Sequence, residues 1–402
     1  MNDAPFAYAR ALRTPEAVRE RARAMLALAR ADRTLAWRLD ETRLEPVADR
    51  VAAVTRATFP DLAVPLHARW RHFVVGGRDL WAEAVAASGL AGDDLARAAF
   101  DTAIVSVLLD AGAGPSWRYR AADGTILARS EGLAVASLEM LARGAFSSRR
   151  RPLEADAEGL AAVTAEVLRE GFQASEANPL VGLAGRVALL RRLGETVAAD
   201  PGLRDPDGRA RPGALFDLLV SRAEERTIRA RDILVAILDR FGAIWPGRMT
   251  FAGIALGDCW PHPVLGPVPL HKLSQWLAWS LIEPLRRAGL RVAGMEALTG
   301  LAEYRNGGLF VDGGVLRLRD PAEAEREHDV ASALVVEWRA LTVALLDELA
   351  PLVRARLGLD ETRFPLGALL EGGTWRTGRM VARERRADGG PPIRVASDGT
   401  VF

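Results

Sequence analysis

The chain has 402 residues, about half of them apolar, which is enough to bury a core in one large domain or two smaller ones and excludes disorder as the default. Acidic and basic side chains nearly cancel to a formal net charge of +1, excluding the strong global field that draws proteins to nucleic acid or anionic lipid. Cys259 is the single cysteine, so no intrachain disulfide can form, as suits a reducing compartment.

The predicted elements are mainly helical. Arg10, Arg13, Arg19, Arg21 and Arg23 interrupt the first apolar residues, so the start does not read as a signal peptide, and no run of about 18 uncharged apolar residues follows anywhere. The reading is a cytoplasmic protein without a membrane span. Thr14-Pro15 followed by Val18, Ala22, Met25, Leu26 and Ala29 gives a cap, a proline at the first helical position and an apolar stripe. Helices are predicted likewise over 45–58, 93–110, 131–143, 156–171, 180–199, 213–224, 231–241, 270–288 and 333–357. Short hairpins are predicted around Asp123-Gly124, within Met249–Ala255, around Asp312-Gly313-Gly314 with strands 309–311 and 315–318, and between Ile393–Val395 and Asp398–Phe402. Residues 200–213 collect Pro and Gly and read as a surface loop, or as the divide between two lobes of what is otherwise one α-rich domain over 1–402.

Scarcity points to a site. The sequence holds one lysine, Lys272, against 52 arginines. A compact ammonium with a tunable pKa is not interchangeable with a guanidinium fork, so a lone survivor suggests a place where only the ammonium serves. Tyr, Asn and Gln are rare too, yet Gln275, Tyr304 and Asn306 fall in the same stretch. That stretch opens with Asp258, passes His271 and Lys272, and reaches Glu303-Tyr304-Arg305-Asn306-Gly307-Gly308, where an acid, a phenol, a guanidinium and an amide precede two glycines. Flanked by apolar helices, this second run is expected to be a loop lining a pocket.

The segments RTPEAVRERA, FPDLAVPLHARWRHF, SVLLDAGAGPSWRYR, RSEGLAVASLEML, RGAFSS, NPLVGLAGR, HKLSQWLAWSLIEPL, LTGLAEYRNGGL, EWRALTV, LEGGTW and SDGTVF resemble, end to end, the family of the fourth protein of the non-reductive uracil catabolism pathway. The resemblance implies a pathway that opens the pyrimidine ring and passes through a ribosylurea-type intermediate to urea. More distantly, HKLSQ, LTxxxEYR and ExRALT are similar to queuosine-salvage nucleoside hydrolases, which implies a helical body related to helix-hairpin-helix DNA glycosylases, with a few short hairpins. The lysine and aspartate that line the nucleoside pocket of that family fall, by motif, on Lys272 and Glu303. Glutamate here replaces aspartate, and Asn306-Gly307 replaces the usual Pro-Gln, so base specificity does not transfer.

Breaking a C–N glycosidic bond builds positive charge on the sugar and negative charge on the leaving nitrogen, so a carboxylate and a cationic donor are the groups to look for. Glu303 is expected as catalytic carboxylate and Lys272 as its electrostatic partner; the plainer reading is a structural ion pair. Asp110, Trp117, Arg118, Asp258, His271, Tyr304, Arg305 and Asn306 are expected to bind substrate, with Asp110 on sugar hydroxyls and Arg118, Arg129 or Arg305 on a phosphate. Trp276 is expected in the core. The histidine spacings, His67 with His72 and His262 with His271, match no metal framework, and no glycine run matches a nucleotide fingerprint. The expected partner is a small nucleoside-like molecule, with no cofactor, metal, nucleic acid or membrane. A ureido or amide hydrolase and a non-catalytic pathway scaffold are the alternative readings.

Overall fold

A computed structural model describes residues 4–110, 112–245 and 249–396. The fold is mainly α, and its strands form only two-stranded pairs among the described residues. The chain divides into two compact units, each stitched from separate stretches. The first takes the N-terminal residues to His67, a middle stretch ending at Gln275, and residues from Met295 to Ala396; the second takes residues from Ala68 to about 245 and Trp276–Gly294. The dividing line passes through the helix Lys272–Arg287. Residues 200–213 lie inside the second unit as a loop that buries Leu203 and Arg211.

The first unit is built on the 25-residue helix Ala333–Leu357. Its first half, LVVEWRALTVALL, is apolar nearly all round, the pattern of a helix enclosed by others. Ser332 caps its start through the Val335 N–H, and Gly358 ends it with φ 69°. Pro15–Arg30, Leu44–Thr58 and Tyr304–Asp312 pack against it. The Thr14 cap is present, its hydroxyl accepting the Ala17 N–H at 3.3 Å. Antiparallel pairs join Trp37–Leu39 to Leu316–Leu318 and Cys259–His262 to Gly266–Pro269.

The second unit centres on Gly92–Leu108, buried at every position from Ala96 onward, with Arg129–Ala142, Pro212–Ala214 and Leu215–Ser221 against it. The predicted helix 156–171 is two helices, Ala157–Ala161 and Ala165–Gly171. Each has its own cap, Asp156 on the Gly159 N–H at 2.7 Å and Thr164 on the Val167 N–H at 3.3 Å. A good N-cap inside an apolar run starts a new helix rather than extending the old one.

The hairpins around Asp123-Gly124 and within 249–255 are present as Tyr119–Arg120 with Ile126–Leu127 and Thr250–Phe251 with Ile254–Ala255. The others differ. Leu309–Val311 is not a strand but part of the helix Tyr304–Asp312, and Leu316–Leu318 pairs with residues near 38 instead. Arg394–Val395 pairs in parallel with Glu327–His328, while 398–402 lie outside the described residues.

The run from Glu303 to Gly308 is likewise helix rather than loop. Gly307 and Gly308 lower helix propensity, but at Gly307 tertiary packing leaves no room for a side chain. A Cβ on Gly307 would stand 2.7 Å from Trp338 Nε1, and one on Gly378 would fall on the Arg305 carbonyl. The short helix is therefore wedged between Ala333–Leu357 and Trp375–Arg385, too close for any larger side chain at those two points.

Candidate functional site

In the first unit one buried ion pair organises the stretch singled out by scarcity. Arg339 projects from the long helix and holds Asp258 through two parallel bonds, Nη1 to Oδ1 at 2.8 Å and Nη2 to Oδ2 at 2.7 Å. Asp258 also accepts Trp260 Nε1 at 2.6 Å and the backbone N–H of Lys272 at 2.9 Å. Its own carbonyl takes the N–H groups of Leu270 and His271. Burial alone would raise the Asp258 carboxyl, but the Arg339 charge and these donors outweigh it and hold the group well below the usual carboxylate range. The same guanidinium sends Nε to the carbonyl of Ala302 at 3.2 Å. One arginine thus fixes both the first residue of the helix Lys272–Arg287 and the residue before Glu303.

Glu303 caps the helix Tyr304–Asp312. Its carboxylate accepts the N–H of Arg305 at 2.8 Å on one oxygen and of Asn306 at 2.6 Å on the other. The residue is 8% exposed. Each oxygen has two lone pairs, so one acceptor position per oxygen remains after the cap is made. Lys272 is half-buried at the first position of its own helix. A cation there opposes the helix dipole, typically by 0.3–1 kcal/mol, so helix stability does not account for a lysine at that position. Gln275, one turn later, accepts the Thr299 N–H at 3.4 Å and ties this helix to the approach of Glu303.

The other expected residues sort clearly. Tyr304 is half-buried beside Glu303. Asn306 is sealed, its amide nitrogen 3.4 Å from the Leu301 carbonyl and its oxygen without a partner. His271 is fully buried in a left-handed conformation, φ 46°, with Nε2 2.8 Å from the Leu12 carbonyl. Burial pushes its imidazole below the ordinary value, which makes it a neutral strut. The guanidinium of Arg305 lies 4.8 Å from the Trp375 ring centroid and 5.1 Å from that of Tyr304.

Asp110, Trp117 and Arg118 belong to the second unit. Asp110 stands 3.0 Å from Arg69 Nη1 and accepts the Ser130 hydroxyl at 3.1 Å. Trp117 is core, fully buried, its indole N–H on the Phe172 carbonyl at 2.9 Å. Arg118 is exposed and spends Nη1 on the carbonyls of Pro115 and Trp117. Trp276 is buried as expected.

Three groups of the first unit escaped the sequence reading. Arg339 is the hub just described. Glu337, fully buried two residues earlier on the same helix, accepts the N–H groups of Leu35 and Ala36 at 2.6 and 2.8 Å and faces His262 Nε2 at 3.3 Å. His67 meets Glu371 at 2.7 Å, and Glu371 sits in a π-helical stretch, Leu369–Thr374, a distortion often found at functional sites. The signal was present as EWRALTV and LEGGTW, two of the segments that carry the family resemblance, but nothing in the spacing assigned their charged residues a partner.

A family model described as a protein of unknown function, DUF1688, matches residues 11–402. The chain belongs to that family. Protein urg3 of Schizosaccharomyces pombe is 38% identical over 397 residues, covering 96% of each chain. Uracil catabolism protein 4 of Lachancea kluyveri is 33% identical over 408 residues, covering 91% of this chain and 92% of its own. The resemblance to the uracil-catabolism family read from the motifs therefore holds across the family member's length. The charged residues around Glu303, Lys272 and Arg339 all lie inside the matched region.

Proposed function

We propose that this DUF1688 protein acts in uracil catabolism by hydrolysing the N-glycosidic bond of a ribosylurea-type compound, yielding the sugar and urea. The pathway is supported by the name of the relative Uracil catabolism protein 4. The observation that carries the chemistry is the Arg339–Asp258 pair, which holds the start of the lysine-bearing helix and the carbonyl next to Glu303 at once. In this reading a water oxygen bonds to the anomeric carbon as the C–N bond breaks. Glu303, through its remaining lone pairs, faces the positive charge that develops on the sugar and takes the water proton. The Lys272 ammonium stabilises the electron pair left on the departing ureido nitrogen, which leaves as urea by taking up one proton, offset by the one that Glu303 removes from the water.

The test is turnover of synthetic ribosylurea and its 5-phosphate by the purified protein, with urea and reducing sugar both quantified. Glu303→Gln keeps an oxygen for the cap and is expected to lower kcat by about 100-fold or more. Full activity in that variant removes Glu303 from the chemistry. Ammonia and carbon dioxide in place of urea and sugar would make the protein a ureido hydrolase instead.

A further inference from the structure

Six arginines are buried among the described residues: Arg69, Arg97, Arg186, Arg211, Arg305 and Arg339. Five of them have acceptors. Arg69 reaches Ser106 at 2.7 Å and Asp110 at 3.0 Å; Arg97 holds Asp217 and Asp94. Arg186 donates to the carbonyls of Leu109, Gly112 and Val181, Arg211 pairs with Asp101 and Glu154, and Arg339 holds Asp258. Arg305 alone has none. At 5% exposure its side chain makes no hydrogen bond and no ion pair, and Nη1 is sealed without an acceptor.

Leaving a buried cation uncompensated is costly, and folding supplies an acceptor in the other five cases among the described residues. What Arg305 has instead is aromatic support, its guanidinium lying over the Trp375 and Tyr304 rings, and the Trp375 ring carries a second guanidinium, that of Arg379, at 5.6 Å. Cation–π attraction holds a guanidinium over a ring without using its N–H groups, which remain for a partner. Arg305 is also the second residue of the helix Tyr304–Asp312, where the dipole repels a cation and favours an anion. The carboxylate of Glu303 is bonded to the Arg305 backbone N–H, not to its guanidinium.

We infer that Arg305, held over the Trp375 ring, is the receptor for a phosphate monoester on the sugar of the substrate. The planar fork of a guanidinium at a helix start matches a phosphate monoester, with three terminal oxygens and up to two charges. This rests on the glycosidase reading and sharpens it: the compound turned over in preference is the 5-phosphate, so an upstream reaction must either phosphorylate the sugar or deliver it already phosphorylated. Of the three arginines the sequence offered for that role, Arg118 has its Nη1 taken by two carbonyls, whereas Arg305 has no protein acceptor.

Calorimetric titration of the full chain with ribose 5-phosphate, ribose, ribonate and inorganic phosphate tests the inference without depending on turnover. Ribose 5-phosphate is expected to bind at least tenfold more tightly than ribose or ribonate. In Arg305→Met, which keeps much of the stacking area, and in Arg305→Lys, which keeps the charge without the fork, its affinity falls about 10- to 100-fold. In kinetics, the same variants lose the preference for ribosylurea 5-phosphate over ribosylurea. Equal affinity for phosphorylated and plain ribose, tighter binding of ribonate, or undiminished ribose 5-phosphate binding in both variants would overturn it. If neither ribosylurea form is cleaved yet ribose 5-phosphate binds through Arg305, the glycosidase reading fails and the phosphate site stands.

Discussion

Each unit contains a buried carboxylate locked to arginine, and the two clusters teach different things. In the first unit Asp258 faces one guanidinium, that of Arg339, and is held ionised. In the second, Asp101, Glu154 and Asp205 share Arg209 and Arg211. Asp101 accepts Arg211 and the N–H groups of Ala155 and Gly213, yet burial outweighs these and pushes its carboxyl up to about 6. Acids outnumber cations in that cluster, so compensation is incomplete. What the clusters hold also differs. Asp101 and its neighbours join residues near 155 and 205–213 to the central helix and carry none of the scarce residues. Asp258 and Arg339 set the starts of two helices that carry Lys272 and Glu303. Buried ion pairing alone does not mark a site; its cargo does.

The sharpest break is Asp258→Ala. It removes the carboxylate that compensates the buried Arg339 cation and is expected to cost about 3–5 kcal/mol in urea denaturation. Adding Arg339→Met should recover most of that stability without restoring turnover, because the helix starts lose their common anchor. Recovery of both would show that the pair is structural only.

The next effect is on pH. An acid whose folded pKa is raised contributes stability that is complete below its unfolded value and lost as pH climbs through the folded one. For Asp101 that window runs from 3.8 to about 6, a change of about 3 kcal/mol. Asp258, whose pKa is depressed, contributes in the opposite sense: its stabilisation is present above 3.8 and fades only in strong acid. The stability of wild type minus Asp101→Asn should therefore fall between pH 4 and 6, and a flat difference would refute the assignment. Activity per folded molecule of Asp101→Asn is expected to match wild type near neutral pH.

The smallest effect concerns Ser147, whose hydroxyl lies 3.1 Å from both Glu154 and Asp156. Ser147→Ala is expected to lower stability by about 1 kcal/mol and leave turnover unchanged. A loss of turnover would mean that the second unit's cluster serves the reaction after all.

Much of the helical frame was legible in the chain because its signals are local. The Thr14-Pro15 cap, the apolar stripe behind it and the all-round apolar run before Leu346 each act within a few residues. The run Glu303–Gly308 reads as loop from sequence for an equally local reason, since two glycines depress helix propensity, and the structure makes it helix. Whether those glycines end a helix or let it approach its neighbours depends on Trp338 and on the fit between Gly378 and the Arg305 carbonyl, residues tens of positions away.

The sequence by itself determined the mainly helical class, the family, and the prominence of Lys272 and Glu303, since composition and short motifs need no knowledge of contacts. Only the tertiary structure decided which charges meet. Asp258 and Arg339 are 81 residues apart, and no periodicity links them. The sequence offers Arg305 as one of three candidates for a phosphate, and only the fold separates it, giving the other five buried guanidiniums among the described residues an acceptor and this one two aromatic rings. Pairing over such distances is set by how helices pack, and packing follows from the whole chain burying its apolar surface at once.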